Sequence, residues 1–190
     1  AHANWAAVSY VAATPLVVAT MFRDGARGWF HAALAIHFAV MTIIVAGFVS
    51  AGSFTLPGGK DPFVRTLGWK EIAVQVRREL TAGTAAGRPY RTVVATNRAL
   101  TAELLYYLRT TPVPIMAWRS GERPKDHFQL TRPLTKGSPE PVLLVALDAL
   151  PNDVWQTFRM TAPPTRLNVA AGPNSKRTLL LVRARTVADP

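Results

Sequence analysis

The sequence contains no cysteine in 190 residues. That excludes disulfides, thiolate metal sites and a cysteine nucleophile, and it leaves the redox compartment open. Acidic residues are scarce as well: 11 Asp and Glu stand against 22 Lys and Arg, for a formal net charge of +11. Charge of either sign is nearly missing from the first 54 residues, where only Arg23, Asp24 and Arg27 are ionised. There is no glycine-rich dinucleotide fingerprint and no P-loop, so a nucleotide site is not supported. The chain opens on Ala1 instead of a methionine, and Ala1-His2-Ala3-Asn4-Trp5 is neither a charged signal n-region nor a tail. It is expected to be a piece of a longer protein.

What is present divides sharply. From Trp5 to Phe22 and from Gly28 to Ser50 no residue carries a formal charge. At 1.5 Å per residue these stretches reach about 27 Å and about 34 Å, against a hydrocarbon core of roughly 30 Å, so two transmembrane helices are expected. Pro15 lies inside the first, which lipid-embedded helices tolerate when neighbours satisfy the freed carbonyl. Trp5, Tyr10, Trp29 and Phe30 lie near the ends, where interfacial aromatics belong. The connecting Arg23-Asp24-Gly25-Ala26-Arg27 is a tight, arginine-bearing turn and reads as cytoplasmic, which sets both termini outside. His31 and His37 are six apart, off the spacing of a helical metal pair, and are expected to hydrogen-bond a neighbouring helix as neutral side chains.

The remaining chain is expected to divide into a linker, 55–68, and a soluble extracytoplasmic α/β domain, 69–190. Residues 1–54 form the membrane hairpin. Trp69, Ile72, Ala73, Val76 and Leu80 recur at helical spacing, which predicts an amphipathic helix ending before a turn at Gly83–Pro89. Thr92-Val93-Val94 predicts a strand and Asn97 the cap of a second helix running to about Arg109. Val113–Trp118 is a second predicted strand. The unbroken apolar run Pro141–Leu147 reads as a buried central strand. A short helix over Asn152–Phe158 and a closing hairpin of Arg166–Ala170 with Thr178–Thr186 follow. Alternation of strands and helices predicts a small α/β sandwich with a mainly parallel sheet, whose ligands would gather at the carboxyl ends of the strands.

The net charge first suggests nucleic acid or an anionic surface. The arginines are scattered along the sequence without a nucleic-acid fingerprint, so the expectation is a basic face beside acidic lipid head groups or phosphorylated substrates, and no nucleic acid. Candidate chemical groups in the soluble part are Glu103, Tyr106, Tyr107, Asp126, His127, Asp148 and Asp153. Asp126 and His127 fall in a polar loop and, as adjacent residues on an extended segment, point apart. Asp148 follows the central strand, either as a site residue or as solvation of the turn before Pro151. His2, Asn4 and Trp5 are expected at an outer interface where a lipid-linked head group would sit, either as contacts to that group or as ordinary interfacial anchors.

The order of these elements resembles the C-terminal part of bacterial polytopic glycosyltransferases of family 39, the dolichyl-phosphate-mannose protein mannosyltransferase and aminoarabinose transferase type. The resemblance runs to about Leu150. It rests on His2-Ala3-Asn4-Trp5 before a span, Gly68-Trp69-Lys70-Glu71 opening the first soluble helix, Ala102-Glu103-Leu104-Leu105-Tyr106-Tyr107-Leu108 on the second, and His127-Phe128-Gln129-Leu130 before Pro133-Leu134. It implies transfer of a sugar from a polyprenyl-phosphate donor at the outer face of a bacterial inner membrane, with His2, Asn4 and Trp5 near the donor. The partners implied are membrane lipid, the lipid-linked sugar and further N-terminal transmembrane helices of the same protein. A divalent metal binds near the donor phosphate in some family members. The catalytic carboxylate of the family lies in an early external loop outside this chain. The alternative is a non-enzymatic, membrane-anchored domain that binds a partner or an envelope glycan.

Overall fold

The computed structural model describes residues 7–53 and 61–186, and the chain forms two compact units, 1–50 and 51–190. The first unit is a helical hairpin of α1 (Ala7–Arg23) and α2 (Arg27–Val49). Its turn follows from one residue. Gly25 adopts φ +71°, the left-handed conformation that lacks a Cβ penalty only in glycine. The Ala26 N–H thereby reaches the Met21 carbonyl (2.8 Å) and the Gly25 N–H the Phe22 carbonyl (3.4 Å), which closes the end of α1 in a Schellman arrangement. Arg23 pairs with Asp24 at 2.8 Å, and the Phe22 and Phe30 rings meet at 5.1 Å across the turn.

Of the two expected spans, one is met among the described residues. α2, with 23 residues, is long and apolar enough to cross a membrane, and none of its residues is buried. α1 has 17 described residues, about 26 Å at helical rise, short of a 30 Å core, and Trp5 lies outside the described residues. Pro15 sits within an unbroken α1. The neighbouring hydroxyls of Thr14 and Thr20 are satisfied by the carbonyls of Tyr10 and Leu16 on the same helix. His37 likewise bonds its own helix, its Nδ1–H donating to the Ala33 carbonyl at 2.6 Å, instead of the neighbouring helix expected.

In the second unit the helical stripe lands as the spacing dictates. α3 (Trp69–Ala85) buries Trp69, Ile72, Ala73, Val76 and Leu80, and it runs two residues past Gly83 before turning. Gly83 is needed inside the helix because the Tyr90 ring packs onto it: a Cβ there would stand 2.8 Å from the ring. β1 (Thr92–Ala95) is followed by α4 (Arg98–Tyr107), which Asn97 caps by accepting from the Leu100 N–H at 2.9 Å. Next come β2 (Ile115–Ala117), the short α5 (His127–Thr131), β3 (Val142–Leu147), the single-turn α6 (Val154–Thr157), β4 (Phe158–Met160), β5 (Thr165–Ala170) and β6 (Lys176–Thr186).

The sheet order is β2-β1-β3-β6-β4, with β5 also on β6. β1 pairs parallel with β2 and β3, but β6 pairs antiparallel with β3, β4 and β5. The sheet is therefore mixed, not mainly parallel. The interior position of β6 is legible in its sequence: Leu179-Leu180-Leu181-Val182 is an apolar run like that of β3, all four residues are buried, and both faces of the strand are covered, whereas its antiparallel sense comes from the pairing. β4 and β5 are two halves of the edge opposite β3, separated where Met160 faces Ala184 and Thr165 faces Leu181. Pro163 and Pro164, which have no N–H to give, fill that gap.

Alternation distributes the side chains into two cores. Val93, Ala95, Leu143, Val145, Leu179 and Leu181 pack with α3 and α4. Val94, Val142, Leu144, Ala146, Leu180 and Val182 face the other way, under Trp118, Leu150, Val154 and Phe158. Each fully buried Leu or Val contributes roughly 1.5–3 kcal/mol of transfer free energy.

Candidate functional site

At the carboxyl end of the sheet, the chain leaves β1 for β2 on one side and returns to β3 on the other, so the strand order reverses between β1 and β3. Open α/β sheets hold ligands at such reversals. β3 ends there in Asp148, whose φ of +60° is the only positive value at a non-glycine among the described residues. The Ala149 N–H donates to the Leu147 carbonyl (2.7 Å), closing a three-residue turn centred on Asp148, and the Asp148 N–H is held by the Thr178 carbonyl (2.8 Å). Such backbone costs about 1–3 kcal/mol and concentrates where chemistry is done.

Arg177, on β6, lies in the field of Asp148 and Glu103. Its guanidinium lies 4.2 Å over the Trp69 ring and donates to the carbonyls of Val64 (2.9 Å), Arg65 (3.1 Å) and Leu67 (3.1 Å). Burial pulls Arg177 below the ordinary guanidinium range, with the two carboxylates opposing. Burial also raises the Glu103 carboxyl, and Arg177 opposes that shift. The result is a residue with strained backbone, Asp148, in the field of a cation that is fixed in place by backbone oxygens.

Other groups singled out in the sequence are placed elsewhere. Asp126 caps α5, its Oδ1 accepting from the N–H groups of Phe128 (2.8 Å) and Gln129 (3.0 Å), so the expected loop is a capped helix with His127 exposed at its start. Asp153 accepts from the Trp118 indole N–H at 3.1 Å. Tyr106 and Tyr107 meet edge to face at 5.0 Å, with Tyr106 exposed. His31 lies beside Phe30, ring centroids 5.7 Å apart. His2, Asn4 and Trp5 lie outside the described residues. No cluster of three His, Asp or Glu able to hold a metal occurs among the described residues.

The chain matches no family model, no curated protein and no solved structure.

The amino end of the same sheet carries a second feature, one the linear sequence conceals. A cleft of about 700 Å³ is lined by Arg88, Arg91, Arg159, Arg183, Arg185 and Glu140. Strand alternation explains the gathering. Arg91 precedes Val93 and Ala95 on one face of β1, and Arg183 and Arg185 follow Leu179 and Leu181 on the same face of β6. The apolar members of each series are covered by α3 and α4; the charged members lie beyond that cover. Arg159 of β4 stands opposite Arg185 in the register. These arginines, scattered in sequence, are one cluster in the fold. The sequence signal was the period-two placement of Arg183 and Arg185 after an apolar stripe, and it needed the β4–β6 pairing to gain meaning.

Arg183 is oriented by its surroundings. Its guanidinium lies 3.8 Å over the Tyr90 ring and donates to the Arg88 carbonyl. Tyr90 donates its hydroxyl to Glu79. Burial, reinforced by Glu79 and opposed by Arg183, pushes the Tyr90 phenol up from 10.0 to about 12. Glu140, the cleft's one acid, already accepts from the Thr186 N–H at 2.8 Å and from the Thr186 hydroxyl.

Proposed function

We propose that this chain is the C-terminal segment of an integral membrane glycosyltransferase that moves a sugar from a polyprenyl-phosphate donor to an acceptor at the outer face of the inner membrane. The carrying observation is α2: 23 residues, uncharged after Arg27, with no residue buried. A helix apolar on every side has its lowest free energy in lipid or among other apolar helices, because in water its hydrocarbon surface is uncovered. The α/β domain that follows in sequence is extracytoplasmic in this reading, and further N-terminal helices of the same protein complete the bundle and supply the catalytic carboxylate.

Apart from His2-Ala3-Asn4-Trp5, the motifs behind the family resemblance lie on the helices of the α/β domain. Gly68-Trp69-Lys70-Glu71 opens α3, Ala102 to Leu108 closes α4, and His127-Phe128-Gln129-Leu130 forms most of α5. Pro133 follows as a parallel bridge to Ala117 of β2. In this reading His2, Asn4 and Trp5 contact the lipid-linked donor, and a divalent metal near the donor phosphate belongs to the catalytic half.

The test is transfer of labelled sugar from a polyprenyl-phosphate donor by membranes carrying the complete reading frame, with and without Asn4→Ala. Transfer that falls in the variant supports the proposal. Absence of transfer to lipid, protein and glycan acceptors alike, in a reading frame with no upstream spans, overturns it and favours the second reading. That reading, a membrane-anchored domain binding a partner or an envelope glycan, draws on the arginine cleft, which is equipped to hold a ligand and whose one acid is already engaged.

A further inference from the structure

The arginine cleft has a more specific chemistry than general basicity. Five arginines line a space of about 700 Å³ with one glutamate among them, whose carboxylate accepts from Thr186. Among the described residues the one ion pair is Arg23 with Asp24, so none of the five is held in a direct ion pair there. Arg159 and Arg185 oppose each other directly across two antiparallel strands, a placement that destabilises the sheet unless an anion lies between the charges. Arg183 is held in place by the Tyr90 ring and the Arg88 carbonyl, which removes part of the ordering cost that a flexible cation pays on binding.

We propose that this cleft binds a phosphate group bearing at least two negative charges, a phosphomonoester or a pyrophosphate. The guanidinium is planar and presents paired N–H donors that match two phosphate oxygens at once, and several such forks converging on one space suit a group with oxygens on all sides. The cleft's dimensions suit a head group or small phosphorylated molecule. A nucleic acid is disfavoured because no aromatic residue is among those lining the cleft, and the Tyr90 ring beneath Arg183 is buried and capped by it, which leaves no face on which a base can stack. The inference is independent of sugar transfer.

The phosphate comes either from a soluble compound or from a lipid head group, and the experiment separates them. The full chain in an uncharged detergent is titrated with pyrophosphate by calorimetry, and in parallel with mixed micelles containing phosphatidic acid. Two double variants are compared: R159Q/R185Q, in the cleft, and R98Q/R119Q, which removes the same charge beyond the carboxyl ends of β1 and β2. Saturable binding that weakens about tenfold or more in R159Q/R185Q, and less than about twofold in R98Q/R119Q, is the expected result. Saturation by pyrophosphate alone assigns a soluble ligand; saturation by phosphatidic acid micelles alone assigns a lipid head group. Equal weakening in both variants reduces the effect to net charge and overturns the proposal, as does failure of both probes to bind the unaltered chain. Circular dichroism of each variant confirms that the fold is kept.

Discussion

Arg159 and Arg185 are cross-strand partners, directly opposite each other where β4 meets the end of β6. Neighbouring strands hold such residues close enough for like charges to repel, and no described acid forms an ion pair with either. Stability here is traded against a concentration of positive charge at one end of the sheet.

This repulsion is screened by salt, since both side chains are exposed. Raising the ionic strength from roughly 0.01 M to 0.15 M, where the Debye length falls from about 30 Å to about 8 Å, is expected to raise the thermal midpoint of the α/β domain. Arg159→Thr is expected to raise the low-salt midpoint and to flatten the salt dependence. Thermal circular dichroism of the full chain in uncharged detergent measures both. A variant as salt-sensitive as the parent removes this pair as the source.

Tyr90 supplies a pH test. Its phenol is raised to about 12 in the fold from an ordinary 10.0. A group whose folded pKa is raised contributes stability that is complete below the unfolded value and is lost as pH climbs through the folded one. The contribution is thus full below pH 10 and disappears between about 10 and 12. Tyrosinate absorbance, taken as the difference between the parent chain and Tyr90→Phe, is expected to show the late titration. Glu79→Gln should bring it down and Arg183→Gln should move it further up. Titration of Tyr90 near 10 in the parent chain rules the account out.

At the other end of the sheet the left-handed backbone of Asp148 can be weighed by comparing two substitutions. Both Asp148→Gly and Asp148→Ala remove the carboxylate, but only glycine relieves the φ of +60°. The glycine variant is expected to exceed the alanine variant by about 1 kcal/mol in denaturant unfolding. Equal stabilities mean that the turn relaxes without cost.

Arg177 ties three carbonyls of the segment Val64–Leu67 to β6 and covers Trp69. Arg177→Met keeps the aliphatic stem and removes the donors, and it is expected to cost about 2–4 kcal/mol. Arg177→Lys should recover only part of this, because one ammonium cannot reach the carbonyls that the planar fork reaches together. Full recovery by lysine would assign the effect to charge alone.

Much of the second unit was readable from the sequence because periodicity reports burial directly. The stripe from Trp69 to Leu80, the Asn97 cap and the two-sided strand Val142–Leu147 each follow from local rules. The direction of β6 does not. Its apolar run Leu179–Val182 announces an interior strand, yet which neighbour it joins, and in which sense, is decided by tertiary pairing. The segment at Asp126 reads as a loop because a five-residue helix shows too little periodicity, although aspartate is a favoured cap residue and does cap α5. The candidate sites divide the same way. Asp148 could be named because it follows the central strand in the chain. The cleft arginines could not be grouped, because they come from five separate positions between Arg88 and Arg185 that meet only through the register of β1, β4 and β6.

β6 pairs with β3 on one side and with β4 and β5 on the other, and it is the last strand described. Synthesis therefore reaches it late. Once Leu147 has been made, the free edge of β3 waits for Lys176–Thr186, an interval of roughly 30 residues or about 2–6 s at ordinary elongation rates. Neither core can close in that time, because each needs residues of β6. Until β6 is made, the edge of β3 stays unpaired and both cores stay open.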